Sequence, residues 1–576
     1  MEYDVAIVGG GPAGSTCASL VRKYHPNLRV VILERARFPR DHVGESQLPA
    51  ISRVLDEMGC WDKVEAAGFP IKVGATYRWG QTDDLWDFEF LNDGNLRPEP
   101  RPAKYEGQRR QTAFQVDRAI YDKILLDHAR ELGAEVREET PVRQVHREDD
   151  RIQKLVLDDG TEVLARHYVD ASGHVGVIRR AMGVEVEQPT SLQNIAIWDY
   201  WQNADWAVNI GVGGTRVQVL SQSTGWVWFI PLGPTRTSIG LIVPAEHYRN
   251  SGKRPADLYA EALAHDPVLR LLMKNATPEG NLSTTKDWSF LASRLAGENW
   301  FLAGESAGFA DPILAAGMTL AHFGAREVAY TILALEEGTQ DATWLRSRYD
   351  ESHRQQIMQH IRFADFWYTS NGLFGDLKAY TSELAKDAGL EMNPEDAWRW
   401  FGQGGFIDHN VAGAGFAGYS LGATKAIAKQ FSHAKTHYEI AGKTTFVLDL
   451  EGAAPRWGAQ LNDGRIVRHR CFYREGKYLP QIAMMGWLIE GLKQPRTFRQ
   501  IATAMGQMAV QNRWGEAQIQ QLRIDLMDCL ETMVSDGWVK ASVTAGEIAV
   551  PEDPIDVSRT LHENRDISMK VQAVEV

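Results

Sequence analysis

Cysteine is scarce in this chain, with four in 576 residues. Cys17, Cys60, Cys471 and Cys529 are scattered, and no two have C-x-x-C spacing. A disulfide-stapled scaffold and a cysteine–zinc cluster are thereby excluded, and a reducing compartment is favoured. Positive charge is also short: 62 Lys and Arg face 75 Asp and Glu, for a net charge of −13. Nucleic acids and anionic membranes demand a basic face, so neither is expected as the main partner. No apolar run reaches the roughly 18 residues that a spanning helix requires. The first residues enter a strand without the basic and apolar regions of a signal peptide, so a cytoplasmic protein is expected. Repeats and low-complexity tracts are missing, and no metal is expected. What remains is globular material, 44% hydrophobic and 24% charged, long enough for two to four domains.

The opening stretch "YDVAIVGGGPAGSTCASLVRKY" is a short apolar strand, a glycine turn and a helix. Gly9, Gly11 and Gly14 fit G-x-G-x-x-G, with Pro12 and Ala13 between the last two. The first glycine makes the tight turn, the second lets backbone approach a pyrophosphate, and the third lets helix pack on strand. Phosphates then rest on the helix N-terminus, where unpaired N–H groups and the dipole favour anions. A second strand, "LRVVILER", ends in Glu34 and Arg35, where an acid is expected on ribose hydroxyls. A second match, "GAGFAG" at 413–418, has no apolar strand leading into it and is expected to be a loop or helix-packing element.

Three later segments decide which dinucleotide. Residues 298–329, "ENWFLAGESAGFADPILAAGMTLAHFGAREVA", read as strand, turn and long helix. This segment resembles the G-D stretch of glutathione-reductase-type and hydroxylase-type flavoproteins, whose acid holds the ribityl chain. Glu305 takes the place of the usual Asp, and Asp311, Gly317 and Met318 follow. "RHYVDASGHVGVIRR" (166–180) resembles the segment those folds place against adenosine. "FQVDRAIYDKILLDHARELGAEV" (114–136) is similar to their D-R helix, with Arg118 close to the flavin. The resemblance implies an α/β, Rossmann-like FAD-binding domain. No second well-framed glycine motif is available for NADPH, so nicotinamide binds without one or reduced flavin comes from another protein.

A narrower resemblance rests on "GWVWFIPLG". Trp226, Trp228, Ile230 and Pro231 match the W-x-W-x-I-P of flavin-dependent halogenases, and both tryptophans share one face of a strand. In that family the segment lies beside the flavin and hinders monooxygenase use of it. Gly44, Glu45 and Ser46 form the family's G-E-S, and Lys72 falls at its lysine position within "FPIKVGATY". Burial in that small, apolar stretch lowers an amine's pKa and makes it nucleophilic. The turn "DPILAAGM" corresponds to the family's halide site, with backbone N–H groups of Ala315, Ala316 and Gly317 around the ion. Leu314 stands where tryptophan halogenases carry a glutamate, so free tryptophan is not the expected substrate. Asp287 in "TTKDWSF" resembles an aspartate that some long members link covalently to flavin.

The resemblance implies a complete reaction. Reduced FAD from a flavin reductase and O2 give a C4a-hydroperoxide, chloride or bromide attacks its distal oxygen, and Lys72 conveys the resulting HOX. Lys72 does so as a haloamine or as a hydrogen-bond donor to HOX. The acceptor is an electron-rich aromatic or acyl group on an acyl or peptidyl carrier protein or on coenzyme A, with a free phenol as the alternative. The rival reading is a flavoprotein monooxygenase or a geranylgeranyl-reductase-like oxidoreductase. Residues 1–370 are expected to form the FAD-binding module, with a mixed substrate-facing sheet from about 75–110 and 185–300. A helical connector is expected over 371–440, helical patterning running from about 318 to 400. An α+β, winged-helix-like domain over 441–576 is expected to shape the active-site entrance. Acids and bases are equal in number over 490–540, six of each, so its helical part lacks the basic face that DNA binding requires.

Overall fold

The structure, a computed structural model, describes residues 2–80, 82–91, 96–206, 213–371, 373, 437–554, 561–567 and 570–571. The chain divides into two compact units: Met1–Ala388 with Asp463–Arg465 and Arg559–Val576, and Gly389–Asn462 with Ile466–Ser558.

The first unit begins with strand Glu2–Val8, paired in parallel with Val30–Leu33 on one side and Glu162–Asp170 on the other. Val5, Ala6 and Ile7 have no solvent exposure, as a central parallel strand covered on both faces requires. Glu135–Arg137 extends the sheet beyond Val30–Leu33, and Trp300–Leu302 adds in parallel to Glu162–Asp170. This is the α/β dinucleotide-binding arrangement that the glycine turn and its neighbouring strands predict, and the FAD-binding fold that the flavoprotein resemblance implies.

A second, mixed sheet of ten strands carries the tryptophans. Strand Gly225–Pro231 lies between Gly214–Gln222 and Arg236–Pro244, antiparallel to both. Strand Ile71–Arg78 joins the far side of Gly214–Gln222 in parallel, and Leu85–Glu89 follows it antiparallel. Gln193–Gln202 and Ser283–Trp288 complete the other side. The outermost strand comes from the end of the chain: Leu561–Glu563 pairs with Leu85–Glu89. Asn564 donates to both carboxylate oxygens of Asp87, at 3.0 and 2.9 Å, which pins that strand. Asp87, Glu89 and His562 approach one another, but Arg216 bridges the two carboxylates, so the cluster is an ion-pair network. The long helical stretch is two helices, Ala316–Glu337 and Ala342–Thr369. Gly338 ends the first at φ 66°, and Asp341 caps the second by accepting from the Trp344 N–H. Most of the expected connector, including 413–418, lies outside the described residues.

In the second unit, Thr445–Leu448 sits between Arg496–Thr497 and Val539–Ser542, antiparallel to each. Helices Ala483–Gly491, Phe498–Gln511 and Glu516–Ser535 share a core with them around Phe446, Leu488, Leu526, Leu530 and Trp538. A separate three-stranded sheet comprises Ala454–Asn462, Arg465–Arg474 and Lys477–Pro480.

Candidate functional site

The N-terminal glycines are required by contact. A Cβ on Gly9, at φ 108°, would lie 2.2 Å from the Ala171 carbonyl oxygen, and one on Gly14 would lie 1.9 Å from the Gly9 oxygen. Gly11 differs: a Cβ there meets only Arg40 Nη2, at 3.5 Å. Gly11 also precedes helix Pro12–Tyr24, in which Pro12 and Ala13 are buried, so the helix start is open to an anion. Glu34 is buried, and its Oε2 accepts from the Gly10 N–H at 2.6 Å while Oε1 accepts from Ala36 N–H at 2.8 Å. Arg35 is exposed. Buried Asp170, which no local motif marks, accepts from Ser172 Oγ at 2.6 Å and from Arg179 N–H at 2.9 Å. Ser306 Oγ donates to the Asp170 carbonyl at 2.5 Å, which joins the 166–180 segment to the Glu305 turn.

Arg118 is held in place from two directions. Its Nε and Nη2 donate to Asp122 at 2.7 and 2.9 Å, and its Nη1 donates to the carbonyls of Val43 and Gly44 at 2.9 and 3.1 Å. The G-E-S loop is thereby tied to the D-R helix. Glu45 is buried, and desolvation pushes its carboxyl up to about 7, against the pull of hydrogen bonds from Tyr200 and Ser238. Ser46 Oγ and both ends of the Gln115 amide are buried without a hydrogen-bond partner. Unpartnered buried polar atoms cost about 1–3 kcal/mol each, so these await a polar ligand.

The tryptophan strand answers to both loops. Trp226 and Trp228 share a face with ring centroids 6.1 Å apart, and both are buried. Trp228 Nε1 donates to Ser238 Oγ at 3.1 Å, and Ser238 in turn reaches Glu45. Trp226 Nε1 donates to Tyr368 Oη at 2.7 Å, and that hydroxyl lies 3.1 Å from Asp311 Oδ2. Asn194 Nδ2 adds 2.8 and 3.2 Å bonds to Asp311 and Tyr368. Gly240 stands opposite Trp228, and a Cβ there would lie 2.0 Å from the indole. Tyr368, Ser238, Asn194 and Gly240 escaped sequence reasoning; no local motif marks them.

Asp311 also caps the turn, accepting from Ile313 N–H at 2.9 Å, and burial raises its pKa to about 6. Tyr77 Oη donates to the Ile313 carbonyl at 3.0 Å. Ala315 adopts φ 56°, and its N–H donates to the Pro312 carbonyl at 2.8 Å. That bond closes the tight turn from which Ala315, Ala316 and Gly317 are expected to present amides to a halide. Ala316 and Gly317 begin the helix Ala316–Glu337, where amides have no intrahelical acceptor. Nothing lies within 4 Å of a Cβ built on Gly317, while Leu314 and Met318 are buried.

Lys72 owes its direction to a bulge. It stands opposite Thr215, yet Gly74 stands opposite Arg216, so Val73 is an extra residue on its strand. A bulge re-aims the side chains around it. Lys72 therefore shares the face of Thr215, Val217 and Val219, and Val219 is opposite Trp228. Its ammonium group lies 5.4 Å from the Phe90 ring centre, and it is 1% exposed. Burial alone brings the pKa down from 10.5 to about 7. Asp287 belongs to strand Ser283–Trp288, opposite Asn194, but its side chain lies outside the described residues.

The residues present fit FAD: an open helix start beyond Gly11, free space at Gly317 and unpartnered polar atoms at Ser46 and Gln115. The fold and these groups define a flavoprotein of the α/β FAD-binding class, and residues 2–364 match the family described as FAD binding domain. The chain belongs to the flavin-dependent halogenases, an oxidoreductase-type enzyme family. It is 31% identical over 384 residues to a chlorinase of 1H-pyrrole-2-carbonyl peptidyl-carrier protein from Pseudomonas fluorescens, covering 65% of this chain and 85% of that one. A tryptophan 2-halogenase from Chondromyces crocatus is 29% identical over 375 residues, 64% of this chain and 68% of that one. CmlS, a flavin-dependent halogenase of known crystal structure, shares the fold at TM-score 0.70 and 23% identity, over 95% of this chain and 98% of its own. Among the described residues, no helix is long and apolar enough to cross a membrane.

Proposed function

We propose that this protein halogenates an electron-rich group tethered to a carrier protein, with Lys72 conveying the oxidised halogen. The observation that carries the reading is the buried amine of Lys72, turned by the bulge onto the tryptophan face. Bound reduced FAD, delivered by a flavin reductase, supplies with O2 the oxidising equivalent for chloride or bromide. Gly9, Gly11, Pro12, Ala13, Gly14, Glu34 and Arg35 would hold the adenosine and phosphate half. Glu45, Ser46, Arg118, Glu305, Asp311 and Met318 would hold the flavin half, and Asp287 is proposed as a covalent anchor. Ala316 and Gly317 would present their N–H groups to the halide.

The neutral Lys72 amine attacks the halogen of HOX, forming an N–X bond and releasing water. A pKa of about 7 leaves a large share of the amine neutral at physiological pH. Confinement protects oxidisable side chains from free hypohalite. Trp226 and Trp228 lie on the same sheet face as the amine and have their N–H groups already engaged. The carrier-bound reading draws on the 31%-identical chlorinase, whose substrate is so bound, and on Leu314 at the turn.

The test supplies FAD, a flavin reductase, O2 and bromide, and compares one phenol free with the same phenol as a carrier-protein thioester. Brominated product from both, with faster turnover of the thioester, supports the whole reading. Equal turnover overturns the tethered substrate. Absence of brominated product from either overturns the proposed reaction.

A further inference from the structure

The second unit carries a local reversal of charge. Between Ala454 and Pro480 this unit holds five basic residues, Arg456, Arg468, Arg470, Arg474 and Lys477, against one acid, Glu475. That excess of four positive charges stands within a chain of net charge −13. Arg474 and Lys477 are spent inside the unit, and Arg456 lies over the Tyr473 ring at 5.4 Å. Arg474 donates to the carbonyls of Glu451 and Gly537 at 2.8 and 2.6 Å, and Lys477 pairs with Asp536 at 3.4 Å. Arg456, Arg468 and Arg470 are exposed.

The hairpin register sets Arg468 and Arg470 beside an aromatic ring. Asp463 and Gly464, at φ 44° and 78°, make the two-residue turn between the first two strands. That turn sets Trp457 opposite Arg470 and Ala459 opposite Arg468. A Cβ on Gly458 would lie 2.4 Å from His469 Nε2, as this register requires. Trp457, Arg468 and Arg470 therefore share one face. Trp457 is 54% exposed, whereas every other tryptophan whose side chain is described is buried or half-buried. Arg470 forms no ion pair among the described residues.

An exposed tryptophan flanked by arginines is the composition of a binding hot spot. In an acidic protein, such a patch gives an acidic partner one surface that does not repel it. We propose that this face, centred on Trp457 and Arg470, is the docking surface for an acidic carrier protein. The inference rests on the carrier-bound reading above. Arginine forks would take the carrier's surface carboxylates, and the indole would cover apolar side chains between them.

The test uses the full chain with FAD, flavin reductase and bromide. The probes are 4-hydroxybenzoyl thioesters, one on an acidic acyl carrier protein and one on free pantetheine. The variants are Arg470→Glu, Trp457→Ala and Arg470→Lys, with FAD content confirming an intact fold. Arg470→Glu and Trp457→Ala should each raise KM for the carrier thioester about tenfold or more. Neither should change kcat or the turnover of pantetheine thioester, and Arg470→Lys should keep most of the affinity. Unchanged KM in both variants, with the wild type still preferring the carrier, overturns the surface but not the tethered substrate. A wild type indifferent to the carrier overturns both. An equal loss with pantetheine thioester marks a structural role and also overturns the surface.

Discussion

The amine of Lys72 has been taken out of water with no carboxylate among the described residues to compensate it, and that arrangement has a stability cost whose sign is fixed. The group binds a proton below pH 10.5 when unfolded but only below about 7 when folded. The unfolded state thus holds more protons between those values, and the native state gains stability as pH rises through that window. Lys72→Met should therefore raise Tm at pH 7, with a smaller gain at pH 9.5, and should abolish halogenation. Calorimetry at both pH values checks it; a lower Tm at pH 7 contradicts the buried-amine description. The neutral-amine chemistry predicts that halogenation rises with pH through about 7. A rate that falls through the same range would indicate that the ammonium form, donating a hydrogen bond to HOX, is the active one. The residue type was legible in the sequence through its neighbours in "FPIKVGATY". Its direction was not, because the bulge exists only against Thr215 and Arg216, far along the chain.

The strand Gly225–Pro231 connects two loops at the level of elements. Trp228 reaches the Glu45 loop through Ser238, and Trp226 reaches the Asp311 turn through Tyr368. Removing the Tyr368 hydroxyl leaves a buried indole N–H and a buried carboxylate short of a partner, at about 1–3 kcal/mol. Tyr368→Phe should lower Tm and raise the KM for halide several-fold, with FAD content retained. Asp311 should then hold its proton to higher pH than the value of about 6 that burial gives it. Steady-state halide titration of the variant decides this, and an unchanged KM would leave Tyr368 a packing residue. Alternation in "GWVWFIP" made the shared face of the tryptophans legible. Their partners were not, since hydrogen bonds to Tyr368 and Ser238 depend on helix and strand register rather than on a local pattern. The turn at 311–317 was legible as small residues, but the bond from the Ala315 amide to Pro312 required the backbone.

For the whole molecule, Leu561–Glu563 belongs to the ten-stranded sheet that carries the tryptophans. Leu561–Glu563 adds its edge strand, His562 lies 3.2 Å from Glu89, and Asn564 holds Asp87. Truncation after Ser558 should remove that edge, expose Leu85 and Phe88, lower Tm by several degrees and depress turnover, while FAD content persists. Retained turnover and Tm would make the edge strand dispensable. Sequence reading found the FAD-binding strands, because periodicity and glycine turns are local signals. The return of the last residues to a sheet built early in the chain has no local signature. The central claim, that the oxidised halogen passes through Lys72, is tested most directly by Lys72→Ala. The assay contains FAD, a flavin reductase and bromide, and product and H2O2 are measured together. The account predicts normal FAD content, continued O2 consumption released as H2O2 or free HOBr, and loss of brominated substrate. Brominated substrate formed at the wild-type rate would contradict it.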